Sequence, residues 1–495
     1  MKTTRDYTAE NADRFILENK HKLRPEFRLN YHLMGEYGWI NDPNGFVQYK
    51  GSYHLFYQHY PYLPQWGPMQ WGHARSRDLI KWEYLPIALA PDESYDSGGC
   101  FSGSAVEKDG LLYLMYTGHV TTGPDTSNHY VQTQNLAVSE DGVRFVKHES
   151  NPVIGLRQIP EGASLKDFRD PKVFERNGRY YVVIGSNDGR GRGQILLYRS
   201  SDLKAWTYVG VMAKGGEELG DNWECPDFFS IGESDFLMFS PQRMPPQGRD
   251  YHNLHSTVYM RGRWDEESGV FHSEGYTPMD QGFDFYAPQS TLDDRGRRIV
   301  VGWMDMWESE MPTQNGHQWA GAMTLPREMV VEGGQVRFRP VEEIESYRER
   351  EFALRDVELD GETVLETRGD SYELEAVFDV GDAGDAGSAE RFGLKLRVGD
   401  GEETELSYSP REGVFSLDRS RSGVGPGGVR ETAVPLRGGK LKLRAFVDRS
   451  SVEVFLQDGE KVMTARIYPG SGSLGIAAFS EGQCKLESLR KWDIR

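Results

Sequence analysis

Short runs of β-branched and aromatic residues, each preceded by a turn residue, recur along the first two thirds of the chain. Five of them begin at residues 51, 110, 178, 233 and 296, and read GSYHLFYQ, GLLYLMYTG, GRYYVVIGS, ESDFLMFSP and GRRIVVGWM. Their starts lie roughly 55 to 70 residues apart, which leaves room for about four short strands in each unit. Consecutive units of this kind predict a five-bladed β-propeller, and the alternative is an ordinary β-sandwich whose segments are alike by chance.

The pattern changes near residue 340. Residues 341–355 are charged and poor in large apolar side chains, which is typical of a linker. From residue 356 onward, alternating segments such as YELEAVFDV and LKLRAFVD return without the blade signature and predict a β-sandwich. At the start of the chain, helical spacing with Thr8 or Asn11 as the cap predicts a short helix. The sequence therefore predicts an all-β protein with a helical extension over 1–23, a propeller over 24–340, a linker over 341–355, a sandwich over 356–495 and a flexible loop at 381–390.

The composition narrows the classes of partner. A net charge of −19 argues against a nucleic-acid partner, which would need a basic face, and the lack of a long apolar run argues against a membrane span. Three widely spaced cysteines and a start without a signal-like apolar segment favour a cytoplasmic protein. Neither a CxxC pair nor an HExxH motif occurs, so no metal site is predicted. The 11 tryptophans and 25 tyrosines suit stacking on sugar rings, and they suit β-sheet cores equally well.

A second shared feature lies just ahead of the repeated strands. WINDPNGF, FRDPKVF, WECPDFF and FYAPQST align on their prolines, and FSGSAV joins them without one. The aligned positions are Asp42, Ser102, Asp170, Cys225 and Ala287, and Glu224 lies one place earlier. The first strand of each blade lines a propeller's central channel, so equivalent positions converge around one axis. An Asp before Pro is often only a turn former, but three acids in matched register describe a sugar-cleaving site.

These motifs resemble those of glycoside hydrolase family 32, the invertases and fructan hydrolases. The resemblance rests on WINDPNGF, FRDP and WECPDFF in that order, and extends to FSGS, GWM and FVDRSSVEVFLQDG along nearly the whole chain. It implies a five-bladed propeller followed by a β-sandwich, and a retaining β-fructofuranosidase that needs no metal and no organic cofactor. By motif, Asp42 is implied to be the nucleophile, Glu224 the general acid/base and Asp170 the stabiliser of the transition state.

The resemblance also implies which residues bind the substrate, a small fructoside. The implied fructose-binding residues are Asn41, Gln58, Trp66, Ser102 and Arg169. Phe101 and Trp303 are implied to form an apolar wall, although Trp66 and Trp303 also suit the core and Gln58 also suits a solvated strand end. We expect Glu224 to have a raised pKa through burial and proximity to Asp42, and Asp42 to keep a low pKa through hydrogen bonds.

The leaving group is the open question. Sucrose is the first hypothesis, with sucrose 6-phosphate and then inulin or levan as alternatives cleaved by the same chemistry. A phosphate would need cationic or backbone donors near the glucose, and the loop residues that suit this role are His119, Arg190, Arg192, Arg243 and His317. A non-catalytic sugar-binding propeller would normally have lost one acid, and five-bladed arabinan- or xylan-acting enzymes usually lack NDPNG and ECPD together. For the sandwich, the hypotheses are that it shields propeller edges or forms a homodimer.

Overall fold

The computed structural model of the protein describes residues 7–380 and 389–495, and within these ranges almost all regular structure is β-strand. Residues 1–6 of the predicted N-terminal extension and 381–388 of the predicted flexible loop lie outside the described residues. Five small sheets are followed by one large sheet, so the predicted all-β architecture of a five-bladed propeller and a β-sandwich is confirmed. No helix in the described ranges is long and apolar enough to cross a membrane.

One α-helix, α1 (Ala9–Asn19), precedes the propeller in the described part of the chain. Thr8 caps it, because its Oγ1 accepts a hydrogen bond from the amide of Asn11 at 3.2 Å. Asp13 of the helix accepts a hydrogen bond from the backbone amide of Ile87 in the first blade, so the helix is fixed to the propeller. The short 3-10 helices among the described residues are Lys20–Lys22, Leu156–Gln158, Glu217–Leu219, Pro312–Gln314 and Glu342–Tyr347.

Each blade of the propeller contains four antiparallel strands that follow one another in chain order. The strands of blade one are β1 (Gly38–Tyr49), β2 (Ser52–Tyr60), β3 (Gln70–Ser76) and β4 (Trp82–Leu89). Those of blade two are β5 (Gly99–Lys108), β6 (Leu111–Thr121), β7 (Tyr130–Ser139) and β8 (Val146–Lys147). Those of blade three are β9 (Phe168–Arg176), β10 (Arg179–Asn187), β11 (Gly193–Ser200) and β12 (Thr207–Lys214).

The last two blades complete the ring. Blade four consists of β13 (Asn222–Ile231), β14 (Ser234–Gln242), β15 (Val258–Trp264) and β16 (Phe271–Pro278). Blade five consists of β17 (Tyr286–Leu292), β18 (Arg298–Trp303), β20 (Arg327–Glu332) and β21 (Gln335–Pro340). The two-residue strand β19 (Trp319–Ala320) lies between β18 and β20 in the chain and pairs in parallel with β1, Gly38 opposite Trp319. Blade five is thereby hydrogen-bonded to blade one, which closes the propeller.

The innermost strand of every blade carries a β-bulge at the same place. One extra residue interrupts the ladder just after Ile40, Phe101, Arg169, Glu224 and Tyr286. Asp170, Cys225 and Ala287 lie in these bulges and have positive φ angles of 64°, 48° and 49°. A bulge re-aims the neighbouring side chains, and it tolerates proline, which donates no ladder hydrogen bond. The repeated prolines therefore mark the points where the inner strands bend.

The C-terminal sandwich is a set of antiparallel strands in which one long strand takes part in both layers. The second half of β31 (Gly475–Ile494) pairs with β23 (Ser371–Asp379), and its first half pairs with β24 (Arg391–Gly399). The strands before it are β22 (Arg348–Arg368), β23 (Ser371–Asp379), β24 (Arg391–Gly399), β25 (Glu402–Ser409), β26 (Val414–Arg421) and β27 (Val429–Ala433). The remaining strands are β28 (Lys440–Asp448), β29 (Ser451–Leu456), β30 (Lys461–Arg466) and β31 (Gly475–Ile494).

The connection between the two domains differs from the predicted linker over 341–355. A 3-10 helix occupies residues 342–347, and β22 begins at Arg348, which lies opposite Ile494 of β31. Residues 348–355 are therefore part of the sandwich, and the linker prediction is wrong for them. Their side chains are mostly charged and exposed, as is common on an edge strand, so composition alone does not reveal the strand.

Candidate active site

The bulged inner strands bring the three predicted acids to one pocket of about 710 Å³. Asp42 comes from β1, Asp170 from β9 and Glu224 from β13, so three different blades contribute. The predicted site residues that line this pocket are Asn41, Asp42, Gln58, Trp66, Phe101, Ser102, Arg169, Asp170 and Glu224. The propeller repeat thus places residues that are far apart in the sequence around one small volume.

Asp42 is held by its neighbours on β1 and β5. Its Oδ2 accepts a hydrogen bond from the Ser102 hydroxyl at 2.7 Å, and its Oδ1 accepts one from the Asn41 amide at 3.0 Å. Burial raises the pKa of Asp42, the hydrogen bond from Ser102 opposes this, and the nearby charge of Glu224 raises it further. The expectation of a low pKa for Asp42 is therefore wrong, because desolvation outweighs the two hydrogen bonds.

Asp170 is buried, whereas Asp42 and Glu224 are partly exposed. Its Oδ2 accepts a hydrogen bond from the Cys225 amide at 3.0 Å, and its own amide donates to Thr117 at 3.0 Å. Burial raises the pKa of Asp170 to about 7, with a further contribution from Glu224. The Cys225 thiol lies 3.6 Å from Asp42 and 3.5 Å from Asp170, and burial raises its pKa well above the ordinary value. A protonated thiol therefore separates the two carboxyl groups.

Glu224 is surrounded by hydrogen-bond donors. Its Oε1 accepts from Arg169 Nε at 3.0 Å, and its Oε2 accepts from Gln242 Nε2 at 2.9 Å and from the Tyr286 hydroxyl. Arg169 is in turn paired with Asp167 at 2.7 Å. The orientation of Glu224 is thus fixed on both oxygens. Whether the pKa of Glu224 is raised stays a prediction.

Sequence reasoning missed Gln242 and Tyr286. Tyr286 had a usable signal, because it occupies in blade five the position of Glu224 in blade four. Asn41, Phe101, Arg169, Glu224 and Tyr286 share this position of the repeat. Gln242 lies at the end of β14, where no repeat marks it.

The aromatic wall differs from the one that the resemblance implies. Trp303 is fully buried and does not line the pocket. Trp307, four residues later, does line it and is 37% exposed, with its ring stacked 5.6 Å from that of Trp39. Trp66 is 49% exposed at the pocket, edge-on to Phe101. The prediction of Trp303 as a wall residue is therefore wrong, because its ring is buried and packs against that of Trp307, with ring centroids 4.9 Å apart.

Comparison with known proteins agrees with this geometry. The model of the glycosyl hydrolases family 32 N-terminal domain matches residues 32–340, and that of the family 32 C-terminal domain matches residues 343–493. The chain belongs to glycosyl hydrolase family 32. The predictions of the family and of a β-fructofuranosidase among the glycoside hydrolases are thereby confirmed.

Individual members of family 32 match over nearly their full length. A sucrose-6-phosphate hydrolase of Escherichia coli is 40% identical over 506 residues, covering 100% of both chains. A raffinose invertase of Escherichia coli is 41% identical, covering 91% of each chain. Among solved structures, a variant of a Bombyx mori β-fructofuranosidase in complex with sucrose superposes with a TM-score of 0.85 at 35% identity, covering 100% of this chain and 99% of that one. A small-molecule substrate is thus common to this family 32 enzyme and its relatives.

The candidate phosphate-binding residues of this family 32 enzyme are mostly outside the pocket. Of the five, His119 alone lines it. Arg192 is paired with Asp188, and Arg243 with Asp221. Burial lowers the pKa of His119 to about 4, and the charge of Arg169 lowers it further, so the imidazole is neutral near pH 7. His119 stacks on Phe101 with ring centroids 4.4 Å apart, which makes it part of the aromatic wall.

Proposed function

We propose that this enzyme hydrolyses sucrose by a retaining double displacement, with Asp42 as nucleophile, Glu224 as general acid/base and Asp170 as the residue that binds fructose hydroxyls. The observation that carries the proposal is the convergence of the three acids from three blades on one pocket. Retaining glycosidases use two carboxyl groups on one substrate, one to attack and one to exchange protons.

In the first step the Asp42 carboxylate attacks the anomeric carbon of the fructosyl unit. Glu224 gives its proton to the glycosidic oxygen, the bond to that oxygen breaks, and glucose leaves. In the second step the Glu224 carboxylate takes a proton from water, whose oxygen attacks the same carbon and releases Asp42. Fructose therefore leaves with its original configuration, and neither step needs a metal or a cofactor.

The surroundings of Glu224 hold its carboxyl group in one orientation, as proton exchange with a bound substrate requires. Its Oε1 accepts from Arg169 and its Oε2 from Gln242 and Tyr286, so both oxygens have fixed partners. A general acid/base must lie within hydrogen-bond reach of the atom it serves, and a fixed orientation favours this in both steps.

The test of these roles is the variant Glu224→Gln on substrates with different leaving groups. We expect it to lose nearly all activity on sucrose, and to keep much more on an aryl β-fructoside whose leaving group needs no proton. Equal losses on both substrates would contradict an acid role for Glu224. A nuclear magnetic resonance time course of the first fructose anomer formed tests retention independently.

Sucrose is proposed as the preferred substrate over sucrose 6-phosphate. Among the described residues that line the pocket, Arg169 is the one permanent cation, and it is already committed to Glu224 and Asp167. A phosphate would find no unpaired cation there. Sucrose 6-phosphate remains the second candidate, because a relative that is 40% identical over the whole chain carries that name.

The measurement that separates these substrates is kcat/KM on sucrose, sucrose 6-phosphate, raffinose and inulin. We expect sucrose to equal or exceed its phosphate, and inulin to be the poorest of the four. A much higher kcat/KM on sucrose 6-phosphate than on sucrose would make the phosphate the preferred substrate and contradict the proposal. The companion variant Arg243→Gln, which changes the arginine paired with Asp221, should leave the sucrose value unchanged and would lower the phosphate value if that loop binds phosphate.

A cytoplasmic location and a homodimer are further parts of the proposal. All three cysteines are free and buried, which suits a reducing compartment. Fractionation of the native host would test the location. The mass of the protein in solution would test the dimer, with a monomer at all concentrations as the contrary result.

A further inference from the structure

One side chain of the sandwich reaches into the propeller beside the pocket. Arg466, at the end of β30, is 4% exposed. Its Nε donates a hydrogen bond to Asp284 at 2.9 Å, its Nη1 forms an ion pair with Asp305 at 2.7 Å, and its Nη2 lies 3.4 Å from the Ser309 hydroxyl oxygen. A guanidinium can serve several acceptors at fixed angles in this way, which an ammonium cannot.

Asp305 and Ser309 belong to the segment 304–311, which runs from the end of β18 toward β19. Trp307 lies between them and presents its ring to the pocket. Asp305 also accepts a hydrogen bond from the amide of Met306 at 2.6 Å, which turns the chain just ahead of Trp307. The path of this segment is thus set at two points by one arginine of the other domain.

Trp307 is connected to the nucleophile through a chain of three contacts. Its ring stacks on Trp39 at an interplanar angle of 27°. The Nε1 of Trp39 donates to Asn41 Oδ1 at 2.8 Å, and the Asn41 amide donates to Asp42 Oδ1 at 3.0 Å. A displaced Trp307 therefore changes both a wall of the pocket and the support of an Asp42 hydrogen bond.

We propose that Arg466 is a positioning residue of the active site, which holds the segment 304–311 so that Trp307 closes one side of the fructoside pocket. The C-terminal sandwich then contributes to substrate binding indirectly, since none of its described residues lines the pocket. The inference rests on the proposed function, because it takes this pocket as the place where the fructoside binds.

The test compares Arg466→Lys with the matched variant Arg419→Lys. Arg419 is similarly buried and also pairs with Asp284, at 2.6 Å, but it forms no hydrogen bond or ion pair with Asp305 or Ser309. A lysine at position 466 keeps the charge beside Asp284 and cannot also hold the segment. We expect Arg466→Lys to raise KM for sucrose and the inhibition constant of fructose roughly ten-fold with a smaller change in kcat, and Arg419→Lys to lower the melting temperature without changing KM.

A double variant tests the route through Trp307. Trp307→Ala alone should raise KM, and adding Arg466→Lys to it should raise KM little further, because both changes remove the same wall. Independent, multiplying effects would overturn the proposal, as would equal KM values for Arg466→Lys and Arg419→Lys. If Arg466→Lys fails to fold, Ser309→Ala, which removes one acceptor in the segment alone, should raise KM in the same direction.

Fructose binding separates this inference from the proposed function. Calorimetric titration of fructose measures the pocket without any bond cleavage. The Glu224→Gln result can contradict the catalytic roles while Arg466→Lys still weakens fructose binding. In that case the positioning role of Arg466 is retained, and the proposed roles of the three acids are rejected. Unchanged fructose binding in Arg466→Lys and Trp307→Ala would overturn the positioning role, whatever the kinetics of Glu224→Gln show.

Discussion

Two regions of this molecule hold clusters of carboxyl groups that are removed from solvent, the pocket and the interface between propeller and sandwich. At the interface, His32 lies 2.8 Å from both Asp448 and Glu453, and Arg327 pairs with Glu453 as well. Burial acts against the charge of Glu453, but Arg327 and His32 lower its pKa below the ordinary value. In the pocket, burial raises the pKa values of Asp42 and Asp170.

The number of cations explains the difference. Asp284 at the interface is paired with both Arg419 and Arg466, and its pKa is lowered. Asp280 and Asp305 at the same interface are each paired with one arginine, and burial raises their pKa values. In the pocket one arginine, Arg169, is shared by Glu224 and Asp167. In these clusters two cations offset the burial of one carboxyl group and a single cation does not, which leaves in the pocket the raised proton affinity that catalysis can use.

Removal of the proposed nucleophile should produce the largest loss of activity without a loss of stability, which would distinguish the pocket acids from those of the interface. We expect Asp42→Asn to lower kcat on sucrose roughly 10⁵-fold, because no covalent intermediate can form. The same change should leave the free energy of unfolding unchanged or higher, since it removes a charge that burial disfavours. Chemical denaturation measures this, with the exposed acid variant Asp294→Asn as control. Marked destabilisation by Asp42→Asn would contradict the view that this buried charge does not stabilise the fold.

Neutralising a buried carboxylate at the interface should lower the stability of the protein rather than its activity. Glu453→Gln leaves Arg327 and His32 without a shared partner, and we expect it to lower the free energy of unfolding by about 3–5 kcal/mol. The control is Glu487→Gln, which breaks the exposed pair with Lys440 and should cost less than about 1 kcal/mol. Similar denaturation midpoints for the two variants would show that Glu453 does not stabilise the interface through Arg327 and His32.

The stability of the interface should depend on pH through His32. Burial alone would lower the pKa of His32, but hydrogen bonds to Asp448 and Glu453 raise it from 6.5 to about 9. A raised pKa stabilises the folded state fully below 6.5, and this stabilisation is lost as the pH rises through about 9. The difference in unfolding free energy between the wild type and His32→Gln should therefore shrink over this range. A difference that grows with pH would contradict a charged His32.

The smallest expected effect concerns the pH profile. Ser102→Ala removes a hydrogen bond that lowers the pKa of Asp42, so that pKa should rise. Because a higher pKa leaves less carboxylate at low pH, the acidic limb of the kcat/KM profile should move to higher pH. Ser104→Ala is the matched control: it lies on the same strand, accepts from the Val173 amide and touches no acid. If the acidic limb of the Ser102→Ala profile does not move, a group other than Asp42 controls that limb.

Much of the site could be predicted from the sequence, because it follows the repeat. Asp42, Asp170 and Glu224 fall at matched points of three inner strands, and such strands meet at one axis. The same register accounts for Asn41, Phe101, Ser102 and Arg169. Their individual roles in binding and catalysis stay proposals. Tyr286 occupies the same position of the repeat, so the repeat could have identified it as well.

The prediction failed where a side chain depends on a loop or on burial. Trp303 and Trp307 lie four residues apart in one segment, and the contacts of Arg466 with that segment decide which ring faces the pocket. The pKa of Asp42 depends on how much water the other blades exclude. Neither quantity leaves a pattern in the local sequence.

The sequence by itself determined the family, the order of propeller and sandwich, and the convergence of three acids. These properties are carried by strand spacing, by bulge-forming prolines and by motifs, all of which are local and repeated. The tertiary structure alone decided the charge balance of each carboxylate cluster, the wall of the pocket and the link from Arg466 to Trp307. The physical reason is that solvation and ion pairing sum over neighbours from distant parts of the chain, such as Arg466 and Asp305, whose proximity exists only after folding.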